Sequence, residues 1–214
     1  MSKRYTDTVT CPKCGQVSEY TVWESLNGDL DPEAKQQLIG GTLFDFECSK
    51  CGHKSVVDYT ILYHDMAHKL MAYYVNNASV KQTNEIINNA EDVIGFKIPG
   101  YHKRVVTDRN TLREKAIIFE HGLDDRIVEI IKLFYLAQGD EQLKDANITD
   151  IYFLVSDNKY ILEFIGDKRF SAEMPDGMYE NIHNSFAERL EAAGDNDTTV
   201  DLDWAKKFLS LNRK

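Results

Sequence analysis

Two short cysteine motifs constrain this chain more than any other feature. They read Cys11-Pro12-Lys13-Cys14-Gly15 and Cys48-Ser49-Lys50-Cys51-Gly52. Two residues between the cysteines allow a tight turn that directs both sulfurs of a pair at one ion, at about 2.3 Å each. The glycine after each pair suits a backbone position with positive φ. Two such turns that face each other supply four thiolates in a tetrahedron, the arrangement of a zinc ribbon.

The residues around the motifs predict a β-hairpin at each of them. Phe44, Phe46 and Cys48 alternate with Asp45 and Glu47, which is the period of a half-buried strand. β-branched and aromatic residues resume after both motifs. The chain therefore repeats a strand–knuckle–strand unit, where a knuckle is the turn that carries one cysteine pair.

Three interpretations compete for Cys11, Cys14, Cys48 and Cys51. One structural Zn²⁺ is preferred, because a closed site of four cysteines leaves no open position for a substrate. A rubredoxin-type iron centre for electron transfer is an alternative, since a tetrahedral sulfur site also suits iron. A thioredoxin-like dithiol would fit the first pair alone, and the matching second pair argues against it.

The segment between the two pairs predicts a short inserted helix. Asp31-Pro32-Glu33 is typical of an N-cap, a proline at the first helical position and an acidic first turn. Gly40-Gly41 supplies the end, so we expect the helix over about Pro32 to Ile39. The apolar residues expected to pack it onto the sheet are Trp23, Leu26, Leu30, Leu38 and Leu43.

Taken together, these residues resemble the CpXC protein family, which is named for its Cys-Pro-x-Cys knuckles. The resemblance covers about the first 75 residues and includes the exit Tyr59-x-x-Leu62-Tyr63-His64-Asp65. Ser49 stands where the family has its second proline, a mild change at a turn position. Gly122-Leu123-Asp124-Asp125-Arg126 also resembles long members of the family. The resemblance implies the fold and the metal site, and it implies no activity.

The rest of the chain predicts a second α+β unit. We expect a zinc-ribbon domain over residues 1–78, a linker or loosely packed helical connection over 79–110, and a C-terminal domain over 111–214. Thr111 and Glu114 have the spacing of a capping box at the start of a helix that ends near Gly122. A buried helix is expected from Asp124 to near Gly139, because apolar residues cover most of its surface.

Two apolar runs, Ile148 to Val155 and Tyr160 to Ile165, predict a hairpin with a turn at Asp157-Asn158. A third strand is expected over Lys168 to Met174, then a helix after Pro175-Asp176-Gly177 and a last helix over Asp203 to Leu211. The sequence thus predicts an α+β fold. Its N-terminal zinc-ribbon-like β domain with an inserted short helix is followed by a helical segment, a small antiparallel sheet and C-terminal helices.

Two further clusters of residues have the composition of possible sites. His64-Asp65-Met66-Ala67-His68 places two histidines four positions apart, as in the His-Glu-x-x-His motif of zinc proteases. Asp is shorter than the usual Glu and the segment directly follows a strand-like run, so we interpret it as a turn with solvated histidines. His102-Lys103-Arg104 and Arg109 form a modest basic cluster, which we interpret as a solvated segment that leads into a helix.

Charge and composition narrow the choice of function. The net charge is −10, with no basic block, whereas nucleic-acid binding draws most of its affinity from basic residues. A nucleic-acid-associated zinc ribbon therefore stands as an alternative that needs a stripe of Lys13, Lys50, His53 and Lys54. The N-terminus has no apolar leader and no stretch is long enough to span a bilayer, so we expect a cytoplasmic protein without membrane contact.

No phosphate loop, nucleophile motif or paired-carboxylate motif appears, so the sequence provides no basis for predicting an enzyme. We therefore expect a zinc-binding protein that acts as a binding or adaptor module for a protein partner.

Overall fold

The computed structural model of the 214-residue chain describes residues 2–76, 79–94, 100–139 and 145–210, without the side chains of 88–94. The described residues form six helices and ten strands, which confirms the α+β class. The chain divides into two compact units, Met1–Arg113 and Glu114–Lys214. In the described residues, every helix is too short or too polar to cross a lipid bilayer.

The N-terminal unit contains seven of these strands. They are β1 (Lys3–Thr10), β2 (Val17–Asn27), β3 (Asp45–Glu47), β4 (Lys54–Val56), β5 (Ile61–Asp65), β6 (Leu70–Tyr74) and β7 (His102–Val106). Five of them form one sheet in the order β1-β2-β5-β6-β7, while β3 and β4 form a separate hairpin. The pairs β1–β2 and β5–β6 are antiparallel, whereas β2–β5 and β6–β7 are parallel.

The inserted helix α1 (Pro32–Gly40) follows the prediction closely. Gly41 has φ of 79° and its N–H bonds to the carbonyls of Gln37 and Leu38, which ends the helix as expected. Asp31 occupies the N-cap position without making a side-chain cap bond, and its carboxylate accepts the Ser2 hydroxyl instead. The prediction that Leu30 packs in the core is wrong, because this side chain is exposed. The other four apolar residues predicted to pack this helix are buried.

The segment expected as a linker or connection contains regular structure. Helix α2 (Val80–Ile94) fits a helical connection, but strand β7 pairs with β6 along its whole length and is part of the sheet. The sequence did not indicate strand β7, because most of its residues are polar and its apolar core residues are only Val105 and Val106. Residues 77–78 and 95–99 of this segment lie outside the described part.

The C-terminal unit follows the predicted order of elements. After α3 (Arg109–Glu120) come α4 (Asp125–Gln138), β8 (Asp150–Ser156), β9 (Lys159–Ile165), β10 (Arg169–Glu173), α5 (Met178–Ala193) and α6 (Leu202–Ser210). The three strands form an antiparallel sheet with β9 in the centre. Asp157 and Asn158 both have positive φ in the tight β8–β9 turn, as the sequence indicated. Leu211, predicted in the last helix, lies outside the described residues.

The predicted capping box at Thr111 and Glu114 is wrong. Helix α3 begins earlier, and Asp108 accepts the backbone N–H of Asn110 at 3.0 Å, so it performs the capping. Glu114 is buried and accepts the backbone N–H of Phe153 instead. The motif matched by spacing alone, and burial of Glu114 in the C-terminal unit gives it a different role.

Helix α4 is the centre of the C-terminal core. Its first half is buried on every side, including Ile127, Val128, Ile130 and Ile131 at zero exposure. The helix packs against α5 and α6. Asp124 caps it by accepting the N–H of Arg126 at 2.9 Å, which places the start where the sequence predicted it.

Candidate metal centre

Each cysteine pair lies in the turn of a two-stranded hairpin. The first pair joins β1 to β2 and the second joins β3 to β4. The two turns share one hydrogen-bond pattern. Cys11 N–H donates to Gln16 and Gly15 N–H donates back to Cys11, and the second turn repeats this from Cys48 to His53 and from Gly52 to Cys48. Gly15 and Gly52 have φ of 71° and 65°, so the internal duplication extends to the backbone.

The four sulfurs of these turns meet at one point. All four Sγ atoms lie within 4.8 Å of one another. Cys11 Sγ lies 3.7 Å from Cys51 Sγ, and Cys14 Sγ lies 3.7 Å from Cys48 Sγ. These distances are far from the roughly 2.05 Å of a disulfide, and all four cysteines are free. The hairpins therefore bring together every cysteine that the sequence selected, and the cluster can hold a metal ion.

The cluster is half enclosed by protein. Cys11 and Cys48 are buried, and they form a small core with Phe46. Val9, Tyr20 and Val57 are among the partly buried residues that pack against this core. The first cysteine of each pair therefore faces the interior, and the second lies closer to the surface.

The surroundings of the Cys48 and Cys51 thiols shift their pKa values in opposite directions. Burial acts to raise the pKa of the Cys48 thiol, but backbone N–H groups of Cys51 and Lys50 outweigh it and lower that pKa to about 7. For Cys51 the His53 backbone acts to lower the pKa, yet burial and the neighbouring sulfurs raise it to about 12. Sulfurs this close resist carrying negative charge together, and a divalent cation would offset that repulsion.

The basic residues near the knuckles are few. Lys13 and Lys50 are exposed, and the ammonium of Lys54 lies 3.4 Å from the carboxylate of Glu47. One member of the stripe required for nucleic-acid binding is therefore already paired with an acid.

The His64-Asp65-x-x-His68 motif is a strand end and a turn, as predicted. His64 and Asp65 end β5, and His68 lies in the turn before β6, so the histidines share no helical face. They are half-buried rather than fully solvated. His64 Nε2 lies 3.0 Å from the hydroxyl of Tyr101, and His68 Nδ1 lies 3.0 Å from Asp65.

Asp65 is the centre of a polar cluster that the sequence did not reveal. Its Oδ2 accepts hydrogen bonds from Lys35 Nζ at 2.9 Å, from the Tyr63 hydroxyl at 3.2 Å and from the His68 ring. Burial acts to raise the pKa of Asp65, but the bonds from His68 and Lys35 outweigh it and lower that pKa to about 2. The cluster ties α1 to the β5–β6 hairpin.

The predicted basic cluster does not form one surface. Arg104 lies on β7 with zero exposure and donates to the carbonyl of Lys103. Arg109 lies over the Phe44 ring and 3.7 Å from the carboxylate of Asp58. The interpretation as a solvated segment that leads into a helix is wrong for Arg104, because its strand places the side chain in the interior.

The family model is the comparison with known proteins that gives a match. Neither the curated proteins nor the solved structures give a match. The family model of the CpXC protein matches residues 9–132. This match covers more than half of the chain, contains both knuckles and continues into helix α4, beyond the stretch that carried the resemblance in the sequence. The chain is a member of the CpXC family.

Proposed function

We propose that Cys11, Cys14, Cys48 and Cys51 hold one structural zinc ion, and that this chain is a binding or adaptor protein whose zinc site keeps its N-terminal unit folded. The observation that carries the proposal is the convergence of four sulfurs from two facing hairpins.

The sulfur distances fit a tetrahedral ion. A zinc–sulfur bond of about 2.3 Å in a regular tetrahedron requires neighbouring sulfurs about 3.8 Å apart. The two sulfur pairs that join the hairpins are each separated by 3.7 Å. The remaining sulfur–sulfur distances are all below 4.8 Å, so the four thiolates lie close enough together to surround one ion.

The donor set favours a structural role over a catalytic one. Four thiolates complete the coordination of Zn²⁺, which leaves no position for water or substrate. Among the described residues, the group that gathers around this point consists of these cysteines alone. The buried core around the sulfurs consists of Cys11, Phe46 and Cys48, and an ion held by four thiolates would add on the order of 10 kcal/mol to the folding of this small core.

Replacement of the bound metal by Co²⁺ tests the coordination directly. We expect intense visible bands and a sulfur-to-metal charge-transfer band, because four thiolates impose a tetrahedral field on Co²⁺. The bands should saturate at one equivalent and disappear when Zn²⁺ is added. Cys14→Ser should reduce and shift them, while the adjacent-surface control Ser49→Ala should leave them unchanged.

The weak spectrum of octahedral Co²⁺ would contradict the proposal. So would a red-brown purified protein that contains iron, since that result supports the rubredoxin-type alternative.

A further inference from the structure

A cleft of about 520 Å³ lies in the N-terminal unit beside helix α1. We call it the Trp23 cleft. The residues that line it include Arg4, Trp23, Leu30, Asp31, Glu33 and Asp45. Its volume lies within the range of about 300–1,000 Å³ that is typical of ligand sites.

The aromatic side of the cleft already holds a guanidinium group. Arg4 and Trp23 are directly opposite each other in the register of β1 and β2. The guanidinium carbon of Arg4 lies 5.1 Å from the centroid of the Trp23 ring, within cation–π distance. Trp23 as a whole is buried at 6% exposure, whereas Arg4 is exposed. The guanidinium of Arg4 thus marks a position beside the ring that a planar cation can occupy.

The other side of the cleft is acidic. Asp31 and Glu33 come from the start of α1, and Asp45 comes from β3. In the part of the chain that the structure describes, Glu33 and Asp45 are exposed and have no ion pair, and the carboxylate of Asp31 accepts the Ser2 hydroxyl. Arg4 is the one basic residue of the lining, so the cleft carries an excess of negative charge.

The carboxylates of the cleft are not gathered as the ligands of one metal ion. They do not form one of the groups whose ligand atoms all lie within 4.8 Å among the described residues. Separated negative charges along an aromatic-lined cleft suit an extended organic cation instead. Leu30, 58% exposed at the same cleft, adds an apolar contact for the stem or backbone of such a ligand.

We propose that the Trp23 cleft binds an arginine-containing segment of a partner protein, with a partner guanidinium on the Trp23 ring and against the carboxylates of Glu33 and Asp45. Arg4 occupies this position in the free chain and is displaced when the partner binds. The inference rests on the proposed role as a binding protein and names the chemistry of its partner. The net charge of −10 favours encounter with a basic segment.

The test uses the full zinc-loaded chain with Trp204→Phe, so that Trp23 is its single tryptophan. The probe is an acetylated and amidated peptide with three arginines separated by glycines, and the control peptide has glutamates in place of the arginines. We expect saturable quenching of Trp23 by the arginine peptide and none by the glutamate peptide. Free arginine should bind at least tenfold more weakly, because it offers one cation and no backbone.

Variants that remove a negative or a positive charge from the cleft distinguish binding at this site from attraction to the net charge of the chain. Glu33→Gln and Asp45→Asn should each weaken the peptide about threefold, since each removes one attractive charge. Arg4→Gln should tighten it about threefold by exposing the Trp23 face. The matched control is Glu19→Gln, an exposed carboxylate of β2 outside the cleft, which should leave the affinity unchanged.

Equal effects of Glu19→Gln and Glu33→Gln would overturn the inference, as would weaker binding by Arg4→Gln. Equal affinity for free arginine would assign the cleft to a small amine and overturn the choice of a protein segment. Zinc content measured on the same sample keeps the two proposals apart. A zinc-loaded chain that binds no peptide overturns only the cleft, whereas a folded chain without zinc overturns the metal site.

Discussion

The ammonium group of Lys132 lies 2.6 Å from a carboxylate oxygen of Glu114, and both side chains are buried. Glu129 accepts from the same ammonium at 2.8 Å. Lys115 lies 2.8 Å from Asp125 and donates to the carbonyl of Val200. Three carboxylates and two ammonium groups thus form a buried network in the C-terminal unit. Such a network stabilises a fold only while every charge keeps its partner.

Lys132→Met should destabilise the C-terminal unit by about 3–5 kcal/mol, because buried Glu114 loses the cation 2.6 Å away and Glu129 keeps only Lys115 at 3.6 Å. Urea unfolding followed by Trp204 fluorescence in a Trp23→Phe background measures this. Adding Glu114→Gln to Lys132→Met removes a stranded charge and should recover part of the loss.

The control is Lys159→Met, which removes an exposed lysine paired with Glu173. It should change the unfolding curve little, because solvent screens that pair. Equal destabilisation by the two substitutions would show that the network contributes nothing beyond a surface pair.

The pH dependence of the same unit should reveal Glu114. Burial raises the pKa of Glu114 above its ordinary 4.5, against the attraction of Lys132 and Lys115 and with the repulsion of Glu129. An acid whose pKa is higher in the folded state binds more protons there than in the unfolded state. Its contribution to stability is therefore present at low pH and is lost as the pH rises from 4.5 towards the raised value.

Glu114→Gln has no proton to lose at this position, so its free energy of unfolding should lack that decline. Unfolding curves of both proteins from acidic to neutral pH, read at Trp204, provide the comparison. Parallel pH profiles of the two proteins would contradict a raised pKa for Glu114.

Asp65 is expected to be the corresponding anchor of the N-terminal unit. Asp65→Asn removes the buried carboxylate charge that the nearly buried ammonium of Lys35 contacts at 2.9 Å, and it should cost about 3 kcal/mol. Trp23 fluorescence in a Trp204→Phe background reports the loss. Asp7→Asn, an exposed acid on β1, should cost less than about 0.5 kcal/mol. If Asp7→Asn is the more damaging change, Asp65 is not an anchor.

The convergence of the four cysteines was predictable because the turns that carry them are local features of the sequence. Two residues between cysteines and a glycine after each pair determine a turn whatever the rest of the chain does, and the turns of Cys11 and Cys48 have matching hydrogen bonds. The helix over Pro32–Gly40 and the hairpin turn at Asp157 and Asn158 were predictable for the same reason.

The polar clusters could not be predicted in this way, because their members are distant in the sequence. Lys35 and Asp65 come together only when α1 packs on the sheet. The sequence around either residue does not indicate that they form an ion pair. A partial signal existed in the C-terminal unit. Glu129 and Lys132 stand three positions apart inside an apolar stretch, which indicates a buried ion pair once the stretch is known to be a central helix. Strand β7 was missed because its partner β6 precedes it by a whole helix.

The division into two units predicts selective loss of structure. Cys48→Ser removes one ligand, so the N-terminal unit should unfold while Glu114–Lys214 stays folded. Trp23 and Trp204 report on the two units separately. Trp23 should become solvated without a change at Trp204, and Ser49→Ala should affect neither. Simultaneous loss of both signals would show that the two units fold together.

The most direct test of the central claim is the zinc content of the purified chain, determined by inductively coupled plasma mass spectrometry beside that of Cys48→Ser. The convergence of four sulfurs predicts one zinc per chain in the native protein and none retained in the variant. A native chain that is fully folded without zinc, or a variant that keeps its metal and its stability, would contradict the account.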